Sequence, residues 1–195
     1  MPARLRTAPV ALLAVLAALV LGGCGDSHTR VTTGTYAGES GANAPYLNVG
    51  PLIYEVQLSR QLNPFNNEDS AYLQGVPPAL AKLEPGKEWF AVFLQVYNDT
   101  NRPLQASNAI WITDTQRNVY HPIVPAATNM FAYRPRRVPG KGELPVPGTA
   151  ERAFGTQGEM LLFKIAIVSL DNRPLELKVV DPQNPKRFAS AELDV

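Results

Sequence analysis

Residues 88–98 constrain the fold more than any other segment of this 195-residue chain. Phe90, Val92, Leu94 and Val96 recur with a period of two, the side-chain period of an extended strand rather than of a helix. The intervening Trp89, Ala91, Phe93 and Tyr97 are also largely apolar, with Gln95 the exception. A strand that is apolar on both sides must be covered on both sides, so it is expected at the centre of a layered β structure. Asn98, Asp99, Asn101 and Pro103 supply the turn chemistry that ends it.

The same alternation recurs along the chain. Leu52, Tyr54, Val56 and Leu58 form one face of a strand, with Glu55 and Gln57 between them. Ile110, Trp111 and Ile112 lead through polar turn residues 114–118 to Val119 and Tyr120, a hairpin signature. Leu161, Phe163, Ile165 and Ile167 mark a strand over residues 160–170, and Leu175, Leu177 and Val179 alternate with Glu176 and Lys178. Residues 188–195 read as the closing strand. Period two is lost over residues 63–86, where 68–73 and 78–83 read as short helices, and residues 122–158 are rich in proline and glycine. About seven short strands, with prolines kept to the connections, predict an all-β chain folded as a two-sheet sandwich with short helical insertions.

The first 24 residues bear on location instead of fold. Arg4 and Arg6 precede an apolar run over residues 11–21, about the length of a secretory signal core and too short to span a bilayer. Leu21, Gly22, Gly23 and Cys24 follow, and this quartet resembles the lipobox of bacterial lipoproteins: an aliphatic residue, two small residues, then the cysteine that is acylated. The resemblance implies removal of residues 1–23, lipidation of Cys24 and retention on the extracytoplasmic face of the cell membrane. Cys24 is the only cysteine, so an exported domain has no internal disulfide and relies on its core. Two or more acyl chains make such an anchoring effectively stable. Residues 24–50, poor in large apolar side chains, are expected to be a disordered tether, holding a domain of residues 51–195 roughly 25 to 30 Å from the lipid.

Residues 88–98, together with Ile112, Thr113, Asp114, Asn118, Val119 and Tyr120 of the hairpin and residues 158–165, resemble a group of bacterial lipoproteins with an immunoglobulin-like domain. That group is similar in fold to a mycobacterial secreted immunogenic β-sandwich family. The resemblance implies an immunoglobulin-like sandwich with an extracytoplasmic binding role, and it carries no catalytic residue. Two departures are Arg117, where the hairpin of the group has glycine, and the long insertion over residues 63–86.

No catalytic constellation emerges, so no enzymatic activity and no cofactor are expected. The histidines are His28, in the tether, and His121, at a strand end, and no zinc-ligand spacing is present. A soft copper set of His121, Met130 and Met160 is weighed against a core role for Met160. Asn63, Asn66, Asn67, Glu68 and Asp69 offer oxygen ligands, weighed against the capping of a short helix. A net charge of +1 excludes the basic footprint of a nucleic-acid binder. Arg134, Arg136, Arg137 and Lys141 form the densest charge feature and are candidates for contact with an anionic membrane surface or wall polymer. The expected role is a non-enzymatic binding or interaction module of the cell envelope with an envelope protein as partner; the alternative is a lipoprotein carrier of a small ligand or metal ion.

Overall fold

The computed structural model describes residues 28–32, 46–153, 155–156 and 158–193. Along the chain lie β1 (His28–Thr32), β2 (Tyr46–Val49), β3 (Leu52–Leu62), α1 (Asn67–Tyr72), α2 (Pro78–Ala81), β4 (Lys87–Asn98) and β5 (Leu104–Gln105). There follow β6 (Ile110–Thr113), β7 (Val119–Tyr120), β8 (Arg137–Val138), β9 (Glu143–Leu144), α3 (Ala150–Ala153) and β10 (Glu159–Ala166). A 3-10 turn (Ile167–Leu170), β11 (Leu175–Asp181) and β12 (Asn184–Leu193) complete the described chain.

Two sheets form, in the orders β10-β4-β3-β2 and β1-β12-β11-β6-β7. The short β9 pairs with the end of β4, and β5 and β8 make a separate ribbon. Apart from β1, which runs parallel to β12, the paired strands are antiparallel. Phe90, Val92, Leu94 and Val96 of β4 share the buried space between the sheets with Ile110 and Ile112 of β6, Leu175, Leu177 and Val179 of β11, and Ala189 and Ala191 of β12. The expected sandwich is therefore the architecture.

β4 is buried on both faces, as its composition requires. Trp89, Ala91 and Phe93 point away from the sandwich into a second apolar cluster with Leu62, Tyr72, Phe131, Met160 and Leu162. The insertion of residues 63–86 caps this outer face: the Tyr72 ring of α1 meets Phe93 and Phe131 edge-on, at centroid distances of 5.1 and 4.8 Å. Such edge-to-face pairs contribute beyond their buried area. Asn129 donates through Nδ2 to the carbonyls of Tyr72 and Gln74, tying the insertion to the connection that follows β7.

Four features depart from the sequence expectations. A β-bulge between Val56 and Leu58 places Val56 opposite Leu94 but Leu58 opposite Phe93. The extra residue reverses the facing of everything after it. Leu52, Tyr54 and Val56 thus fill the inter-sheet core, while Leu58 and Leu62 join the outer cluster despite sharing their even numbering. Second, the strand expected over residues 160–170 ends at Ala166, and the 3-10 turn takes over. Third, strands occur upstream of Pro51. Tyr46–Val49 pairs with β3, and its Leu47 and Val49 are core residues. His28–Thr32 pairs with β12 from His28 opposite Phe188 to Thr32 opposite Glu192. These two strands lie within the span read as a tether, where only a short polar-apolar alternation or a few β-branched residues could signal them. Fourth, three two-residue strands, β5, β8 and β9, arise in the connections.

The two sheets meet end to end at one pole. Gly50, in the β2–β3 turn with φ +59°, approaches the β11–β12 turn so closely that a Cβ there would lie 2.5 Å from Asp181 Oδ2. Asn98, at the end of β4, is at the same pole and donates through Nδ2 to the carbonyls of Val138 and Pro139. The start of β1 lies there too, beside the first half of β12.

Candidate functional site

The basic stretch after β7 is dispersed by its own hydrogen bonds. Arg134 Nη2 donates to the carbonyls of Pro125 and Ala126 at 2.8 and 2.6 Å. Arg136 Nη2 bonds Glu159 Oε1 at 2.5 Å. Glu159 is buried beside Leu94; burial pushes its carboxyl up, against the downward pull of Arg136, and its Oε2 has no hydrogen-bond partner. Arg137 lies exposed in β8, and Lys141, with φ +57°, donates to the Asp99 carbonyl. Arg134 and Arg136 thus serve the scaffold, whereas Arg137 and Lys141 are exposed near Asn98. Leu21, Gly22, Gly23 and Cys24 lie outside the described residues.

The other candidates are structural. Asn66 caps α1, its Oδ1 accepting from the Glu68 and Asp69 amides at 2.8 and 3.3 Å. Asp69 accepts from Arg60 Nη2 at 2.5 Å and from the Asn63 amide at 2.8 Å. Met160 is buried in the outer cluster, Met130 is half exposed, and the exposed His121 ring stands 6.4 Å from Trp111. Among the described residues no group of three or more His, Cys, Asp and Glu could hold a metal ion.

A different site emerges on the outer face of the β12-β11-β6 sheet. Register sets Lys178 of β11 between Trp111 of β6 and Ser190 of β12, and sets Val180 opposite Phe188. Lys178 Nζ lies 3.5 Å from the centroid of the Phe188 ring and 5.4 Å from that of Trp111. Pro185 and Lys186 extend this surface toward the β11–β12 turn, and the whole forms an open groove of about 680 Å³. An ammonium held between two aromatic faces is attracted by both ring quadrupoles and keeps its charge at the surface. Arg187 Nε stands 3.7 Å from the buried Asp181 Oδ2 at the groove's end. Farther from that end, Glu176 and Glu192 face each other across the sheet. The groove is therefore basic and aromatic, and Glu176 and Glu192 lie outside its lining. Its residues come from three strands separated by up to 77 positions in sequence, so only the strand register brings them together.

A smaller cavity of about 220 Å³ opens between the sheets, lined by Ile110, Pro122, Ile123, Tyr133 and Leu161 among others. Behind it the Tyr133 hydroxyl donates to the Ser107 carbonyl at 2.7 Å, and the Ser107 amide donates to the Tyr54 hydroxyl at 2.7 Å. Burial pushes the Tyr54 phenol up to about 12 and holds that of Tyr133 well above the usual tyrosine value. Both are neutral hydrogen-bonding anchors.

No protein-family model and no curated protein matches the sequence. Solved structures do align with the fold. An uncharacterised β-sandwich protein from Clostridium difficile is 13% identical, with 86% of this chain and 95% of that chain covered and a TM-score of 0.43. YjhA from Bacillus subtilis is 7% identical over 84% of this chain and 98% of its own, with a TM-score of 0.47. YcdA from the same organism, provisionally described as a lipoprotein, is 7% identical; the alignment covers 80% of this chain but only 39% of YcdA, with a TM-score of 0.46. The sandwich assignment itself stands on the strand pairing and buried core of this protein.

Proposed function

We propose that the protein is a membrane-anchored extracytoplasmic lipoprotein whose β-sandwich is a non-enzymatic interaction module of the cell envelope. The observation that carries this reading is the sequence of residues 1–24: a basic start, an apolar run of signal-core length, and Leu21, Gly22 and Gly23 before the only cysteine. Kinship with the immunoglobulin-like lipoproteins, and with the mycobacterial secreted sandwich, belongs to the same proposal. The open Trp111–Lys178–Phe188 groove supports interaction over enclosure, since surface sites of this kind suit a partner's face. The inter-sheet cavity, at about 220 Å³, is the feature that favours the alternative of a small-ligand carrier, but it falls below the roughly 300–1,000 Å³ of ordinary ligand sites.

Feeding cells a labelled fatty acid tests the anchor. The native protein takes up label, loses residues 1–23 and partitions with membranes, while Cys24→Ser takes up none and keeps its leader. Equal membrane retention and leader removal in the Cys24→Ser protein would overturn the reading.

A further inference from the structure

We infer that the Trp111–Lys178–Phe188 groove docks the sandwich onto the anionic phospholipid surface of the membrane that holds its anchor. This inference rests on the proposed lipidation of Cys24. β1 begins at His28, paired with Phe188, so the strand nearest the anchor in sequence runs along the strand that carries the groove. Only Gly25, Asp26 and Ser27 separate Cys24 from His28. At no more than about 3.6 Å per residue, Cys24 lies within about 14 Å of the His28 backbone. That backbone is one strand spacing, roughly 4.8 Å, from Phe188. The anchor thus confines the basic end of the groove to the neighbourhood of the headgroups, where a long tether would have left the orientation free.

The chemistry of this pole fits such a surface. Lys178 and Lys186 lie in the groove, Arg187 follows at its end, and the exposed Arg137 of β8 and Lys141 lie in the segments beside Asn98 at the same pole of the sandwich. Trp111 and Phe188 offer the amphipathic and apolar surface that settles at the bilayer interface. Glu176 and Glu192 lie farther along β11 and β12 from the anchored end, outside the groove.

The test uses the mature lipidated protein reconstituted in vesicles of phosphatidylcholine alone or mixed with phosphatidylglycerol, each containing a headgroup spin-labelled lipid as quencher. Tryptophan emission reports docking because the second tryptophan, Trp89, is buried in the outer cluster, and Trp111→Phe identifies the Trp111 share. Docking quenches Trp111 in the anionic vesicles, leaves it bright in the zwitterionic ones, and is relieved by raising salt to molar levels. Loss of two surface-near cations in Lys178→Gln/Lys186→Gln lowers the docked-to-free ratio about 25-fold. Lys186→Gln alone, at an exposed position, lowers it about fivefold and guards against a folding defect at Lys178. Protein that stays on the vesicles in high salt yet shows equal Trp111 emission in both lipids overturns the docking inference and leaves the anchor intact. Quenching that ignores both lysine substitutions also overturns it. Protein that washes off in high salt overturns the anchor, and the inference falls with it.

Discussion

Ser169 Oγ donates to Asp114 Oδ2 at 2.8 Å, joining the 3-10 turn that follows β10 in one sheet to the β6–β7 hairpin of the other. The remaining oxygen of Asp114 accepts from the amides of Gln116 and Asn118, at 3.0 and 2.9 Å, and Tyr120 hydrogen-bonds Ser169 Oγ at 2.6 Å. One carboxylate therefore closes the hairpin and clamps the two sheets at the pole opposite Gly50.

Burial pushes the Asp114 carboxyl up, but the hydrogen bonds from Asn118 and Ser169 outweigh it and hold the group below its ordinary value. A depressed folded value contributes stability that is present above the unfolded value of about 3.9 and is lost as pH falls through the folded one. Asp114→Ala should cost about 3 kcal/mol at neutral pH, read as a lower urea midpoint. The stability gap between the two proteins should narrow in acid below about pH 4.

Arg117 adopts φ +67°, in the left-handed region where a side chain is strained and glycine is not. Glycine, which the resembled sequence pattern has at this position, would adopt the same backbone without that strain. Arg117→Gly should raise the thermal midpoint by about 2 to 4 °C, for a gain near 1 kcal/mol, seen by calorimetry.

Tyr54 and Tyr133 both favour the neutral phenol in the folded state because they are buried. Stability should hold below the unfolded tyrosine value of about 10 and decline as pH rises from there toward about 12, the folded value of Tyr54. Circular dichroism against pH follows this loss. Tyr54→Phe orphans the buried Ser107 amide, costs about 1 to 3 kcal/mol, and weakens the alkaline decline.

Tyr72 fastens the insertion over β4, so Tyr72→Ala should cost about 3 to 5 kcal/mol. Limited proteolysis should then cut within residues 63–86 sooner than in the parent protein. A cut rate unchanged by the substitution would show that the outer cluster does not depend on this ring.

The seven strands that period two reveals in the sequence are all present, and the two apolar faces of residues 88–98 correctly announce a layer on each side. Alternation reports which residues share a face only while the register is unbroken. At Gln57 it breaks without any trace in composition, because Leu58 and Leu62 are as apolar as the core they leave. Ile167 prolongs the pattern of β10 but opens the 3-10 turn and is about half exposed. The basic run from Arg134 to Lys141 was visible as charge, yet sequence does not reveal that carbonyls and Glu159 absorb Arg134 and Arg136. Conversely, Trp111, Lys178 and Phe188 are unremarkable apart and become a site only when three strands align them.

The bulge at Gln57 makes β3 a shared beam between two otherwise separate apolar compartments. Its first half is held by the far sheet and its second half by the helical cap, and the strand runs on through the bulge as one element. Loosening either compartment therefore strains the other through a single rigid member, and the cap and sandwich should melt as one cooperative unit.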